Sequence, residues 1–401
     1  MSYKRFLILC AGSVIQYFNY AIFSFCAFDI AKNFMPGNVD KHKILNLFAA
    51  LIITVLARPL GSVFFGTIGD RIGRKYALIL SGIVGSLGAI IVPFISTYNE
   101  IGIIASILLI FSRMIFLSGL SGEIDGIRIY ISENLSNKTQ NFGNGLVTLF
   151  TQLGPLTASF ILYLTSENSY GWKFCFLLGG VLGLIFSFIR IQIPETVEYM
   201  AEKEQPSQYF KVTISQIING QFLLLCKAAI ITGTIGCFYQ FYIILMPIYI
   251  KLEYNYDLTK YIPCFILLYG IGGALFGYIA DKVSPYITIK RILIVIVINL
   301  LFLAYSLQEN RELLVYIILV GSFFISGFSV PCQILLKQKI NVGIRYRMFS
   351  LGHSIGSLCI SAPTAFLCTK IAIEANSAYI VIYPLFFVAI SLAIISSLKK
   401  S

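Results

Sequence analysis

Seven ionisable residues fall inside stretches otherwise made of Ile, Leu, Phe, Val and Gly: Arg58, Arg113, Glu123, Asp125, Arg128, Arg190 and Lys227. A charge in such surroundings is costly unless it is paired or used, so each is a functional candidate. An arginine there offers a rigid fork of donors to a carboxylate, and an acidic side chain offers a site that takes up and releases a proton. Arg113 and Glu123 are ten residues apart, about three helical turns, and share one side of a helix. Arg113, with Arg58, is the candidate to hold a carboxylate on a ligand; Glu123 is a titratable group further along. Glu123 and Asp125 stand roughly 200° apart around the helix, which argues against a paired-carboxylate site. Asp125 and Arg128 are three apart and can pair along one face. The other reading of these charges is a set of structural pairs between helices. Arg190, near the end of its stretch, reads as a snorkelling side chain, and Lys227 can do the same.

His353 is the histidine that falls in an apolar stretch; an imidazole is a side chain that can exchange a proton, so it joins Glu123 and Asp125 as a candidate proton carrier. Its plainer role is a hydrogen-bonded polar residue between helices; His42 reads as a solvated loop residue. Tyr239, Gln240 and Tyr242 offer hydrogen bonds and aromatic walls to a cavity, or ordinary packing. The nine cysteines are scattered without a Cys-x-x-Cys pair, which points to free thiols rather than a metal or redox site. No cofactor is expected.

A different constellation follows at Gly61, Gly66 and Gly69, which leave a helix face bare enough for a neighbour to approach closely. It breaks abruptly into Asp70-Arg71-Ile72-Gly73-Arg74-Lys75, a tight cationic turn. The frame Gly66-x-x-x-Asp70-Arg71 recurs about half a chain later as Gly277-x-x-x-Asp281-Lys282, with Lys290 and Arg291 completing a looser basic loop. Such an echo is the mark of a parallel duplication.

The elements that must position these residues are membrane helices. The chain has 401 residues, 57% of them hydrophobic and 12% charged, against about 25% charged in soluble domains. Twelve apolar runs are long enough to cross a core of about 30 Å. They lie at 6–31, 44–69, 76–96, 100–131, 140–165, 172–193, 219–250, 260–280, 289–307, 312–336, 346–371 and 377–397. The net charge of +12 sits mainly on alternating loops, at Lys4, Arg5, Arg71, Arg74, Lys75, Lys203, Lys290, Arg291, Arg345, Arg347, Lys399 and Lys400. That distribution sets topology, with both termini cytoplasmic, and gives no reason to expect nucleic-acid binding. The first run lacks a small-x-small cleavage site and continues to a full span, so it is a helix rather than a signal peptide. A mixed-charge stretch after the sixth run divides the chain into a bundle over residues 1–194, a cytoplasmic linker over 195–218 and a second bundle over 219–401.

The first loop resembles the signature of the major facilitator superfamily. The fuller string from Arg58 through Phe65, Gly66, Gly69 and Asp70 to Lys75 is similar to the metabolite:proton symporter family, which includes proline/betaine, 2-oxoglutarate, citrate and shikimate carriers. The resemblance covers nearly the whole chain. Gly12-x-x-x-Gln16-Tyr17-x-Asn19-Tyr20 resembles the family's first-helix pattern, and Arg113 through Gly122 and Glu123 to Glu133 follows its fourth-helix spacing. Gln152 falls in its fifth helix; Gly171-Trp172-Lys173-Phe174 and Arg190 to Glu195 frame its sixth; Arg345-Tyr346-Arg347 and Pro363 fall near its eleventh. Two departures matter. Where the family has carboxylates in helix one, this chain carries the amides Gln16 and Asn19, which hydrogen-bond but do not exchange protons near neutral pH. Helix four has Phe116-Leu117 in place of Gln-Gly, while Asp125 and Arg128 replace small or apolar residues.

The resemblance implies an all-α integral membrane fold, twelve transmembrane helices in two six-helix bundles, working as a monomer in the cell inner membrane. It implies a carrier that moves a small polar or zwitterionic metabolite by alternating access, with protons as co-substrate. Substrate contacts would come from Arg113, Arg58, Gln16, Asn19, Tyr239 and Gln240, and coupling from Glu123, Asp125 or His353. The loop residues Gly66, Asp70, Arg71, Gly73, Arg74, Lys75, Asp281 and Lys282 would form charge pairs that hold one access state. A carboxylate-bearing substrate suits the arginines. The first alternative is an uncoupled facilitator, because Gln16 and Asn19 replace titratable groups; a remote one is a non-transporting receptor. No nucleotide loop, metal cluster or nucleophile constellation points to an enzyme.

Overall fold

A computed structural model describes residues 3–37, 47, 53–164, 171–205, 207, 212–309 and 311–400. His42 and most of the early part of the second expected span lie outside the described residues. In the first half the helices are α1 (Tyr3–Phe25), α2 (Ala27–Phe34), α3 (Ala57–Arg71), α4 (Arg74–Ile91), α5 (Ile103–Glu133), α6 (Gln140–Leu164), α7 (Gly171–Ile189) and α8 (Val197–Glu204). In the second they are α9 (Ile214–Tyr239), α10 (Met246–Tyr254), α11 (Ile262–Lys282), α12 (Pro285–Glu309), α13 (Leu314–Lys339), α14 (Arg345–Gly356), α15 (Thr364–Glu374) and α16 (Ile382–Lys400).

Among the described residues eleven stretches are long and apolar enough to cross a membrane, and α3 is the described end of the second span. A helix satisfies its backbone polar groups within the segment, the condition for a chain in hydrocarbon. Large apolar side chains such as Leu60, Phe64, Phe111, Phe160 and Phe386 are mostly exposed; in water they would form aggregating patches, and in lipid they are solvated. Two spans are not uniform. A π-turn over Gln240–Leu245 joins α9 to α10, and another over Ser357–Ser361 joins α14 to α15. Such widened turns recur at functional sites.

The signature loop between α3 and α4 is closed by Gly73, whose φ of 150° is unfavourable for any side chain. A Cβ there would also strike the Glu195 carboxylate. Glu195 in turn accepts hydrogen bonds from the backbone N–H groups of Lys75 and Thr196, capping the start of α4.

The chain packs into two compact units. The first holds Met1–Asn134, Phe150–Ile214 and Val342–Leu351; the second holds Leu135–Leu149, Ser215–Asn341 and Gly352–Ser401. A core of Phe18, Ile22, Phe23, Phe34, Trp172 and Phe176 supports the first, with Trp172 edge-on to Phe34 at 5.9 Å and to Phe176 at 6.3 Å. In the second, Phe238 meets Phe328 at 5.5 Å, and Cys237, Ile360 and Phe387 pack together.

Candidate functional site

Arg113 occupies the first half of α5, inside the first unit. Its guanidinium carbon lies 4.1 Å from the centre of the Phe23 ring, 4.8 Å from Phe116 and 5.2 Å from Tyr20. An arginine collared by aromatic faces is held by the ring quadrupoles, which leaves its N–H donors uncommitted. Its Nε is buried without a hydrogen-bond partner, and no carboxylate among the described residues pairs with it. The residue keeps 6% exposure, which its terminal amino groups carry. Asn19, fully buried, lines the same cleft, and neither the oxygen nor the nitrogen of its carboxamide has a partner. This cleft, bounded also by Phe23, Ser112, Phe116 and Phe176, is too narrow for a water molecule. One turn earlier, Gln16 Nε2 donates to the Gly82 carbonyl and to Ser86 Oγ, both at 3.1 Å, and its Oε1 stays unpartnered. An unpaired guanidinium beside unpartnered amide groups is an expensive arrangement to bury for stability alone. Its donors suit an anion, which the cleft admits only once it widens.

Glu123 is elsewhere along α5 and is fully committed. Arg190 donates from Nη1 to Glu123 Oε2 at 2.6 Å and from Nη2 to Oε1 at 2.5 Å, and Ser13 Oγ donates to Oε1 at 3.2 Å. The same guanidinium reaches the carbonyls of Leu78 and Leu9. Arg190 therefore does not snorkel, contrary to the sequence expectation. It is 1% exposed, because the single 3₁₀ turn Arg190–Gln192 after α7 aims it inward between α1, α4 and α5. Gly12 opens the space it fills.

Asp70 ends α3 fully buried in a cage of donors. Arg74 Nη1 lies 2.7 Å away, Arg347 Nε 2.9 Å, and the backbone N–H groups of Tyr346 and Arg347 each donate at 3.0 Å. These amides open α14, so the carboxylate also meets the positive end of a helix. Gly66 and Gly69 let α14 approach: a Cβ on either would run into Arg347 or the Tyr346 ring. Tyr346 completes the wedge, its hydroxyl donating to the Gly122 carbonyl at 2.6 Å. Behind it Arg74 also binds Glu133 at 3.1 Å, and Glu133 further receives Arg345 at 3.0 Å and the Thr196 hydroxyl at 2.7 Å. Arg71 is exposed and Lys75 half-buried.

In the second unit Asp281 ends α11 in the matching position. Its oxygens accept from Phe142 N–H at 2.7 Å, Asn141 N–H at 3.2 Å and Asn141 Nδ2 at 2.8 Å, at the start of α6. Gly277 permits that approach, with Asn141 against it. Lys282 is exposed and leans over the Tyr278 ring at 5.7 Å.

The remaining candidates fall as follows. Arg58 stands half-buried at the start of α3, and Asp125 and Arg128 are buried on α5. Tyr239 is edge-on to Tyr269 at 5.1 Å, Gln240 opens the first π-turn, and His353 is half-buried on α14. Tyr242, for which the sequence left a cavity wall and ordinary packing both open, is fully buried with its hydroxyl donating to Asn299 Oδ1 at 2.7 Å. Sequence reasoning named Arg113 and Asn19 among the substrate contacts, and both line one cleft of the first unit. It missed Glu133, Tyr346 and Arg347 as partners of the loop, although Arg345-Tyr346-Arg347 stood out as a charged break at the head of an apolar run.

Comparison with known proteins places this geometry. A family model described as Major Facilitator Superfamily matches residues 9–363. A putative proline/betaine transporter of Staphylococcus aureus (strain COL) is 27% identical over 378 residues, spanning 89% of this chain and 79% of the relative. The glycine betaine/proline/ectoine/pipecolic acid transporter OusA of Dickeya dadantii is 23% identical over 416 residues, spanning 96% and 81%. Among solved structures, the proton:xylose symporter XylE aligns with a TM-score of 0.76 at 13% identity, covering 99% of this chain and 94% of that one. The transporter FucP in an outward conformation aligns at 0.71 and 12%, covering 99% of both. The helical fold, its membrane-length spans and the match over residues 9–363 together make this chain a member of the Major Facilitator Superfamily.

Proposed function

We propose that this protein carries a small zwitterionic carboxylate, of the proline or betaine kind, across the bacterial inner membrane by alternating access. The observation that carries this reading is Arg113, a buried arginine whose fork is held by three aromatic rings and by no carboxylate of the described protein. A substrate carboxylate supplies the missing counter-charge, and the exposed ring of Tyr20 offers its face to the ammonium end. The names of the relatives agree with that chemistry. The Asp70 cage is the latch of one access state: it holds the head of α14 while closed and must release it when the carrier turns over.

Proton symport is the coupling the family suggests, and Asp125 or His353 is its carrier. Glu123 serves the reading less well, since Arg190 already neutralises it bidentately. One observation favours an uncoupled facilitator: Gln16 and Asn19 supply only amides where an exchangeable proton would sit. Uptake of labelled proline and betaine into proteoliposomes, with and without an inward proton gradient, tests both. Accumulation that collapses with the gradient supports symport. Equilibration indifferent to it supports the facilitator. No movement of either compound refutes the substrate assignment.

A further inference from the structure

In the second unit, one end of the helices gathers Lys and Arg. There α9 does not run straight. Gln221 takes φ −129° and ψ 23°, outside helical values, so the helix breaks and restarts after Gly220. A break of this kind opens a notch in a helix surface. The notch is a groove of ≈ 370 Å³ lined by Gly220, Gln221, Leu224, Lys227, Lys339 and Leu398.

Its composition is divided. On one side stand two lysines from different helices, Lys227 of α9 and Lys339 at the end of α13; neither makes an ion pair among the described residues. The sequence around them is basic: Tyr286, one turn before Lys290 and Arg291 on α12, donates to the carbonyl of Leu398, the chain neighbour of Lys399. The nearest acidic residue on α11, Asp281, is occupied by Asn141 and Phe142. Leu223 also lines the groove and is 69% exposed, and its chain neighbour Phe222 is 60% exposed. Cations within a groove and apolar side chains at its mouth match the amphipathic profile of a lipid at the interface, phosphate inward and chains along the helix.

We infer that this groove binds the phosphate of an anionic phospholipid headgroup, held between Lys227 and Lys339 with its acyl chains against Phe222 and Leu223. The inference is independent of what the carrier transports; it rests on the chain spanning a bilayer. Occupation bridges α9, α13 and α16 at one end of the second unit, and so stiffens the broken helix.

The test uses the purified full-length protein in nanodiscs of phosphatidylcholine alone and of phosphatidylcholine with phosphatidylglycerol or cardiolipin. Lipid retained after delipidating washes is read by native mass spectrometry, and stability by thermal melting. Wild-type protein retains anionic lipid and melts higher in its presence. Lys227→Gln with Lys339→Gln weakens that retention by roughly thirtyfold, about five- to sixfold per lysine. Lys260→Gln, a lysine in another loop, is the charge control and leaves retention unchanged. Melting in phosphatidylcholine alone checks that the double variant is folded. The single variants serve as replacements if it is not. Equal lipid retention by wild type and variant overturns the proposal. So does an equal rise in melting temperature from millimolar inorganic phosphate in phosphatidylcholine discs, which would assign the groove to a free anion.

Discussion

Asp70 and Asp281 end the second helix of their halves in the same Gly-x-x-x-Asp frame, and both cap the first amides of a helix from the opposite half of the sequence. Their company differs. Asp70 is fully buried and meets two guanidinium groups besides two backbone N–H donors. Asp281 is half-buried and receives two backbone N–H groups and one side-chain amide, all neutral. The duplicated frame thus yields one ionic clasp and one dipolar clasp. A buried ion pair is costly to break by removing one partner, whereas a capped helix end is easily released. The ionic clasp should therefore dominate the energy difference between access states, and the neutral one should follow it.

Ways to break that contrast run from large to small. Asp70→Asn strands Arg347 and weakens the hold on Arg74, and should cost about 3–5 kcal/mol in chemical unfolding of the detergent-solubilised protein. Glu123→Gln strands Arg190 in the same manner and should cost about 3 kcal/mol. Pairing it with Arg190→Met should restore most of the loss, a non-additivity that a double-mutant cycle reads directly. Arg113→Gln behaves oppositely: with no protein carboxylate to orphan, it should leave melting unchanged or raised while substrate KM rises about tenfold or more. Asp281→Asn should cost about 1 kcal/mol, the worth of a charge at a helix start. The smallest effect concerns pH. Burial pushes the Glu195 carboxyl above the ordinary glutamate range, against the N–H donors of Thr196 and Lys75 that favour the charged form. A raised folded-state pKa means that its contribution to stability is full at acid pH and fades as pH rises through the shifted value. Glu195→Gln should flatten that fade in a melting series from pH 4 upward.

The sequence revealed the membrane spans because hydropathy over twenty residues is a long, redundant signal. The Asp70 loop was equally open to reading, since an abrupt change from Gly and Phe to Asp, Arg and Lys survives without knowledge of packing. What stayed hidden were pairings across distance. Glu123 and Arg190 are 67 residues apart, and nothing local distinguishes an arginine that folds inward on a 3₁₀ turn from one that reaches for water. Tyr242 was open to two readings, cavity wall or packing, and its partner Asn299, 57 residues away, decides for packing. Arg113 was legible as a charge in a span. That aromatic rings, rather than an acid, hold it is a property of three residues on two helices.

The central claim is that Arg113 waits for a carboxylate. Calorimetric binding of betaine to the wild-type protein and to Arg113→Gln, with choline as the same ammonium lacking its carboxylate, tests it most directly. Betaine should bind the wild type and lose about tenfold or more in the variant, and choline should bind both weakly. Equal betaine affinity in the two proteins, or choline bound as tightly as betaine, would contradict it.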